Sequence, residues 1–272
     1  MPSIESVNLP TFHTLVPQDA ERIRIGLCTD THVWIDGVNN QGSEGNLQLV
    51  GESVELLDML LGELSASELD LTIHLGDFTC GGGYFGMTST EFYRAADLSR
   101  AAFDRLATPV FGLPGNHDCP PGGESWRHVE EQWGLLPGLG LTLDTPFARL
   151  ILLNAQGHSM AQVEAAQPDD PIYGWVNDAE LARLDRALAG ADDLPVLLFV
   201  HQLLQPWRGP RKWADFYLVQ NAPAVLDLLA AHDNVRAVFQ GHAHMFEVHT
   251  DLLDARSCTF VITPSVVEYP LG

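Results

Sequence analysis

The chain has 272 residues, 46% of them hydrophobic and 18% charged, which is long enough to bury a large apolar core and ordinary in composition for a globular protein. Its formal net charge of −22, with only 14 Lys and Arg, argues against a long polyanion as partner, because nucleic-acid binding depends on neutralising many phosphates. A small phosphorylated ligand stays compatible with that charge, since bound divalent cations supply locally the positive charge that the surface lacks.

Residues 1–21 are acidic and polar where a secretory signal needs a basic start and an apolar run, and a cytoplasmic protein is expected. No apolar run escapes interruption by charge or Gly for long enough to span a bilayer. Short apolar runs with the length and β-branching of buried strands occupy residues 23–28, 69–75, 109–113, 150–153, 196–200, 235–239 and 259–262. Between them, residues 47–64, 90–106, 179–188 and 222–231 carry apolar side chains at three- and four-residue spacing, with Ser or Asn near their starts, and are predicted helices. Strand alternating with helix predicts a layered α/β architecture, with two sheets or one that turns antiparallel near the C-terminus. No repeat or linker divides the chain, so one domain over residues 1–272 is expected, its end at Gly272 falling soon after the last predicted strand and leaving a continuation open. Cys28, Cys80, Cys119 and Cys258 show no CxxC spacing and are read as buried free thiols.

The residues that follow the predicted strands carry the chemistry: Asp30-Thr31-His32, Gly76-Asp77, Gly115-Asn116-His117-Asp118, His201, and Gly241-His242-Ala243-His244. In open α/β sheets the carboxyl ends of strands face one crevice, so these loops are placed to converge although they are far apart in sequence. Asp, His and Asn offer oxygen and imidazole ligands suited to Mn, Fe, Zn, Ni or Co, with no thiolate to favour a soft metal. Asp77 is the carboxylate placed to bridge two ions, and Gly76 before it permits a close turn. Alternation in Asp30-x-His32 and His242-x-His244 predicts that each pair projects to one side of an extended segment.

Together these blocks resemble the signature of the calcineurin-like metallophosphoesterases, which runs DxH, GD, GNH(D/E), a later H, then GHxH, and the resemblance extends from Asp30 to His244. It implies an α/β/β/α fold of two packed mixed sheets flanked by helices. It also implies two metal ions, with Mn, Fe or Zn as candidates, one held by Asp30, His32, Asp77 and His244 and the other by Asp77, Asn116, His201 and His242. His117 would be no ligand but a general acid or charge-stabilising group beside the scissile phosphate. His201 stands in no multi-residue motif and is placed by following residues 196–200 between the GNHD and GHAH blocks. Asp118 either touches substrate, orients His117 or stabilises its own loop, and His13, His74, His128, His158, His232 and His249 are read as structural or surface residues.

The segment Gly76-Asp77-Phe78-Thr79-Cys80 lacks the tyrosine of purple acid phosphatases and the GDxVDRG form of protein phosphatases. With the second Asp of that form goes the usual orienting partner of the catalytic histidine. What remains looks like the bacterial cyclic-nucleotide and glycerophosphodiester phosphodiesterases, and a small diester is the expected substrate. A phosphomonoesterase, a nucleotide pyrophosphatase and a non-catalytic scaffold are the alternatives. Substrate preference is expected in the loops 34–46, 81–88, 156–175 and 205–217, where Arg208, Arg211 and the only lysine, Lys212, stand among Trp207, Trp213 and Tyr217.

Overall fold

The structure, a computed structural model, describes residues 21–42, 46–83, 85–121, 125–159, 162, 173–208, 217–254 and 256–268. Strands β1 (Ile25–Cys28), β4 (Leu71–His74) and β5 (Val110–Gly112) form a parallel sheet in the order β1-β4-β5. Its register aligns Cys28, His74 and Gly112, so the chain leaves all three strands at one edge. A six-stranded sheet has the order β10-β11-β9-β8-β7-β6, built from β6 (Leu141–Asp144), β7 (Arg149–Leu153), β8 (Val196–Val200), β9 (Val235–Gln240), β10 (Glu247–Leu253) and β11 (Arg256–Ile262). It is mixed: β7, β8, β9 and β11 run parallel, while β6 and β10 pair antiparallel at the two edges. A ribbon of β2 (Asn40–Gln41) and β3 (Leu47–Gln48) lies apart from both sheets.

The period-two alternation of the central strands decides the layering. Leu150 and Leu152 of β7 and Phe199 of β8 share a core with Leu71 and Ile73 of β4, and so form the seam between the sheets. Their neighbours Ile151, Leu153, Leu198 and Val200 turn to the opposite face and pack on helices α4 (Asp178–Ala189) and α5 (Ala222–Ala230) through Leu184, Leu188, Val225 and Leu229. Helices α1 (Ser53–Ala66) and α2 (Ser89–Phe103) join the seam core from the other side through Leu57, Leu61, Phe92 and Phe103. Helix, sheet, sheet and helix thus stack as the sequence reading expected, and each buried Leu or Phe contributes about 1.5–3 kcal/mol by leaving water. Because both faces of β7 and β8 are covered, residues 150–153 and 196–200 are continuous apolar runs.

Local signals fix the helix starts. Thr88 and Glu91 form a capping box at α2, the Thr88 amide donating to the Glu91 carboxylate at 2.7 Å, and Asn177 accepts the Glu180 amide at 2.8 Å at α4. The helix expected from residue 47 begins later, because Leu47–Gln48 pair with Asn40–Gln41 and a 3₁₀ turn at Val50–Glu52 precedes α1. Helix α3 (Arg127–Gln132) and strands β6 and β10 were not expected. Cys28, Cys80, Cys119 and Cys258 are free and buried. No helix among the described residues is long and apolar enough to cross a membrane.

Candidate metal centre

The loops that leave β1, β4, β5, β8 and β9 meet at the carboxyl edge of the two sheets. The loop after β1 is zipped onto the loop after β4, with the amides of Asp30 and His32 donating to the carbonyls of Gly76 and Asp77 at 2.9 and 3.0 Å. The two sheets are joined at the same place, where the His242 amide donates to Oδ2 of Asp30 at 3.0 Å. Gly76 has φ 123°, and a Cβ there would lie 2.6 Å from the Gly115 nitrogen and 2.8 Å from Nδ1 of His201, so only glycine lets the loops close this tightly.

Backbone conformation departs from the expected extended alternation. Asp30, His32, Asp77, His242 and His244 have φ of 54°, 42°, 56°, 63° and 51°, all in the left-handed region. Asp and His tolerate that region better than bulky or branched residues, and it folds each x-spaced pair sharply enough for both side chains to face one point.

Two groups of ligand-type atoms gather the predicted ligands, and a third brings His117 beside His32 and Asp77. In the first, Oδ1 of Asp30 lies 3.0 Å from Nε2 of His244 and 3.6 Å from Nε2 of His32, while the two nitrogens are 3.1 Å apart. In the second, Nε2 of His201 lies 3.2 Å from Oδ2 of Asp77 and 3.1 Å from Oδ1 of Asn116, and the His242 ring is 5.0 Å from that of His201. Oδ2 of Asp77 also faces Nε2 of His32 at 3.7 Å, which places this carboxylate between the groups. Seven sequence-predicted ligands are therefore together, and all are buried except the half-buried His244.

A metal fits these groups on three observations. An ion held at about 2.0–2.2 Å sets neighbouring ligand atoms roughly 3.0–3.5 Å apart, close to the spacings found. Where both Nε2 atoms carry lone pairs they repel each other and the carboxylate oxygen beside them, and a cation between the three turns that repulsion into attraction. Nε2 of His242 is buried with no hydrogen-bond partner, a costly condition that a metal bond removes. The all-nitrogen and oxygen donor set suits a first-row divalent ion and has no thiolate to favour a soft one.

Electrostatics divide the groups in the same way. Burial raises the Asp30 and Asp77 carboxyls, but the facing imidazoles, led by His244 for Asp30 and by His201 for Asp77, more than reverse this and hold both below the usual carboxylate range. Burial depresses His244, yet Asp30 and Glu268 push it up to about 10. His242 is held well below its ordinary value by burial and by His201, so it stays neutral and able to ligate.

Residues 23–246 match the family described as calcineurin-like phosphoesterase. The chain belongs to that family. A probable cyclic nucleotide phosphodiesterase of Pseudoalteromonas sp. is 25% identical over 232 residues, 82% of this chain and 72% of that protein. Another, from Synechococcus sp., is 25% identical over 226 residues, 83% of this chain and 75% of that one. Among solved structures, a dimetal phosphatase from Danio rerio superposes with a TM-score of 0.66 at 18% identity over 91% of this chain and 89% of that chain. PhoD does so with a TM-score of 0.57 at 13% identity over 90% of this chain and 56% of that chain. This phosphoesterase is therefore a metal-dependent hydrolase of phosphoesters, in a family whose centre holds two ions.

Around the ligands, hydrogen bonds to neighbouring loops of the phosphoesterase fix the geometry, several of them made by Gly81, Thr79 and Trp126, which carry no motif signal in the sequence. His117 hydrogen-bonds through Nδ1 to the Gly81 carbonyl at 2.9 Å, which fills the orienting role left open by the missing second Asp and fixes Nδ1 as the protonated nitrogen. Burial pulls His117 down to about 4. Asp118 serves its loop: Oδ1 accepts from the Thr79 amide at 3.0 Å and Oδ2 from the Gly115 amide at 2.8 Å, while the Thr79 hydroxyl donates to the His117 carbonyl at 2.9 Å. Burial and the Asp77 carboxylate push it up to about 7, with those amide donors pulling the other way. Trp126 donates to the Gly115 carbonyl at 2.7 Å, and the buried His74 joins the Thr31 hydroxyl at 3.2 Å to the Gly76 amide at 3.1 Å.

The basic cluster gives a different result. Arg208 donates to the Thr250 carbonyl at 2.8 Å and faces Asp251 at 3.7 Å, so its guanidinium is engaged on β10 and not on any clustered ligand. Arg211, Lys212 and Trp213 lie outside the described residues, as do parts of all four expected specificity loops. Trp207 is buried, and Tyr217 packs between it and the His242 ring, with centroids 5.3 and 5.0 Å away.

Proposed function

We propose that this phosphoesterase is a dinuclear phosphodiesterase acting on a small diester, with cyclic nucleotides and glycerophosphodiesters as the candidate substrates, in one catalytic domain spanning residues 1–272. The observation that carries the reading is the likeness, over more than four fifths of the chain, to proteins named probable cyclic nucleotide phosphodiesterases.

In this reading Asp30, His32, Asp77 and His244 hold one ion, and Asp77, Asn116, His201 and His242 hold the other. Bound there, the ions supply Lewis-acid stabilisation of the phosphate oxygens and lower the pKa of an attacking water. In its doubly protonated form His117 would deliver the Nε2 proton to the departing oxygen, a contribution of about 10²–10⁴-fold, while Nδ1–H stays on the Gly81 carbonyl; burial, which pulls the group down to about 4, keeps that form a minor one at neutral pH. No side chain is needed as a covalent nucleophile.

The test is turnover of metal-depleted protein supplied with Mn²⁺, on bis-p-nitrophenyl phosphate, p-nitrophenyl phosphate and 3′,5′-cyclic AMP, with Asn116→Ala alongside. Metal-dependent diester hydrolysis that collapses in the variant is expected. Turnover of the monoester alone would replace the reading with a phosphomonoesterase.

A further inference from the structure

We infer that Glu268 is a positioning residue of the metal centre, holding His244 in the one tautomer that can ligate. The inference rests on the proposed role of His244 as a ligand and concerns a residue outside every motif block. The Glu268 carboxylate is hydrogen-bonded to Nδ1 of His244, on the far side of the ring from the Nε2 that faces Asp30 and His32. Glu268 is 7% exposed and its partners are specific: Nε2 of Gln48 donates to the same carboxylate at 2.9 Å.

Backbone contacts hold the carboxylate there. Glu268 bridges Gln48 of β3, the Leu49 amide donates to the Val267 carbonyl at 2.7 Å, and the Ser265 hydroxyl donates to the Asp30 carbonyl at 3.0 Å. The C-terminal segment is thereby fastened both to the β2–β3 ribbon and to the ligand loop after β1. A neutral histidine has one N–H, and a carboxylate accepts but does not donate, so the pair places the proton on Nδ1 and the lone pair on Nε2. Outer carboxylates of this kind orient ligating imidazoles and raise their basicity, and their loss costs about 10–100-fold in metal affinity.

The experiment titrates the metal-depleted full chain with Mn²⁺ calorimetrically, for wild type, Glu268→Ala and Glu268→Gln, and records the visible spectrum of each protein loaded with Co²⁺. Glu268→Ala is expected to weaken one of two ions by about 10–100-fold, leave the other unchanged and alter the Co²⁺ spectrum. Glu268→Gln, whose carbonyl oxygen still accepts from Nδ1, is expected to recover most of the loss. Identical isotherms for all three proteins overturn the inference, as does equal loss of both ions with a lower melting temperature of the metal-free protein. Should Glu268→Ala not fold, ¹⁵N NMR of Zn²⁺-loaded wild type decides: His244 protonated on Nδ1 supports the assignment and protonation on Nε2 overturns it. If two ions bind, Glu268→Ala weakens one and no diester is turned over, the substrate reading fails and this one stands.

Discussion

The backbone amide of His117 donates to Oδ1 of Asp77 at 2.8 Å, so the proposed proton donor and the proposed bridging carboxylate are fixed to one another while Oδ2 remains turned toward His201 and His32. The two oxygens thus have separate duties, one for the fold of the loop and one for the metals. Asp77→Asn separates them, because an amide keeps the accepting oxygen and replaces Oδ2 with an NH₂ that cannot ligate. The variant is expected to fold, to bind at most one ion, and to lose about 10²–10³-fold in turnover, as when a group that stabilises developing charge is removed. Metal content by atomic absorption, measured beside kcat, checks this; two tightly held ions in the variant would count against Asp77 as the bridge.

Gly81 makes a second prediction. A Cβ at this position would stand 2.2 Å from the Cys119 carbonyl oxygen and 2.4 Å from that of His117, contacts with backbone that cannot yield cheaply. Gly81→Ala must therefore move the loop whose carbonyl accepts from Nδ1 of His117. Metal stoichiometry should stay at two while kcat on an alkyl diester falls toward that of His117→Ala, itself lower by about 10²–10⁴-fold. A p-nitrophenyl leaving group needs little protonation, so both variants should be less impaired on bis-p-nitrophenyl phosphate. Equal losses on the two substrates would remove His117 from the proton-donor role.

Sequence position leaves Asp118 as a substrate contact, an orienter of His117 or a loop stabiliser, and its bonds are those of a loop stabiliser. Its carboxylate accepts from the backbone amides of Thr79 and Gly115. Asp118→Asn sets an NH₂ against one of these, leaving a buried donor unpaired at a cost of about 1–3 kcal/mol. Chemical denaturation should show that loss with metal saturating, and KM for the diester should be unchanged. A raised KM at wild-type stability would return Asp118 to the substrate site.

Much of this arrangement could be read before any coordinates, for identifiable reasons. Strands covered on both faces have no polar positions to spare, so β8 appears in the sequence as the unbroken run 196–200 with the bounds found. The ligands follow such strands directly, and parallel pairing brings their ends to one edge. Edge strands lack this signature: β10, EVHTDLL, carries Glu, His and Asp because one face stays open, and it was missed. Left-handed φ at Asp30, His32, His242 and His244 was also missed, since an x-spaced pair reads equally well as extended chain. Glu268 gave no signal at all. It lies in irregular chain past the last strand, and its value depends on a contact with Gln48 that only the folded chain brings about.

Metal removal should register in stability as well as in activity. Without ions, the carboxylates of Asp30 and Asp77 and the unpartnered Nε2 of His242 are buried together, an arrangement that cations complete. Binding to the folded state alone stabilises by about 2.7 kcal/mol when free metal is 100 times Kd. For a chain of this size each kcal/mol corresponds to roughly 2–4 °C, so each site filled to that level should raise the melting temperature by about 5–11 °C. Differential scanning fluorimetry with EDTA and then with increasing Mn²⁺ should show a concentration-dependent rise, smaller in His242→Ala because one site is weakened. A melting temperature that ignores both chelator and metal would mean that the buried cluster is stable without cations, and would remove the two-ion assignment from these seven residues.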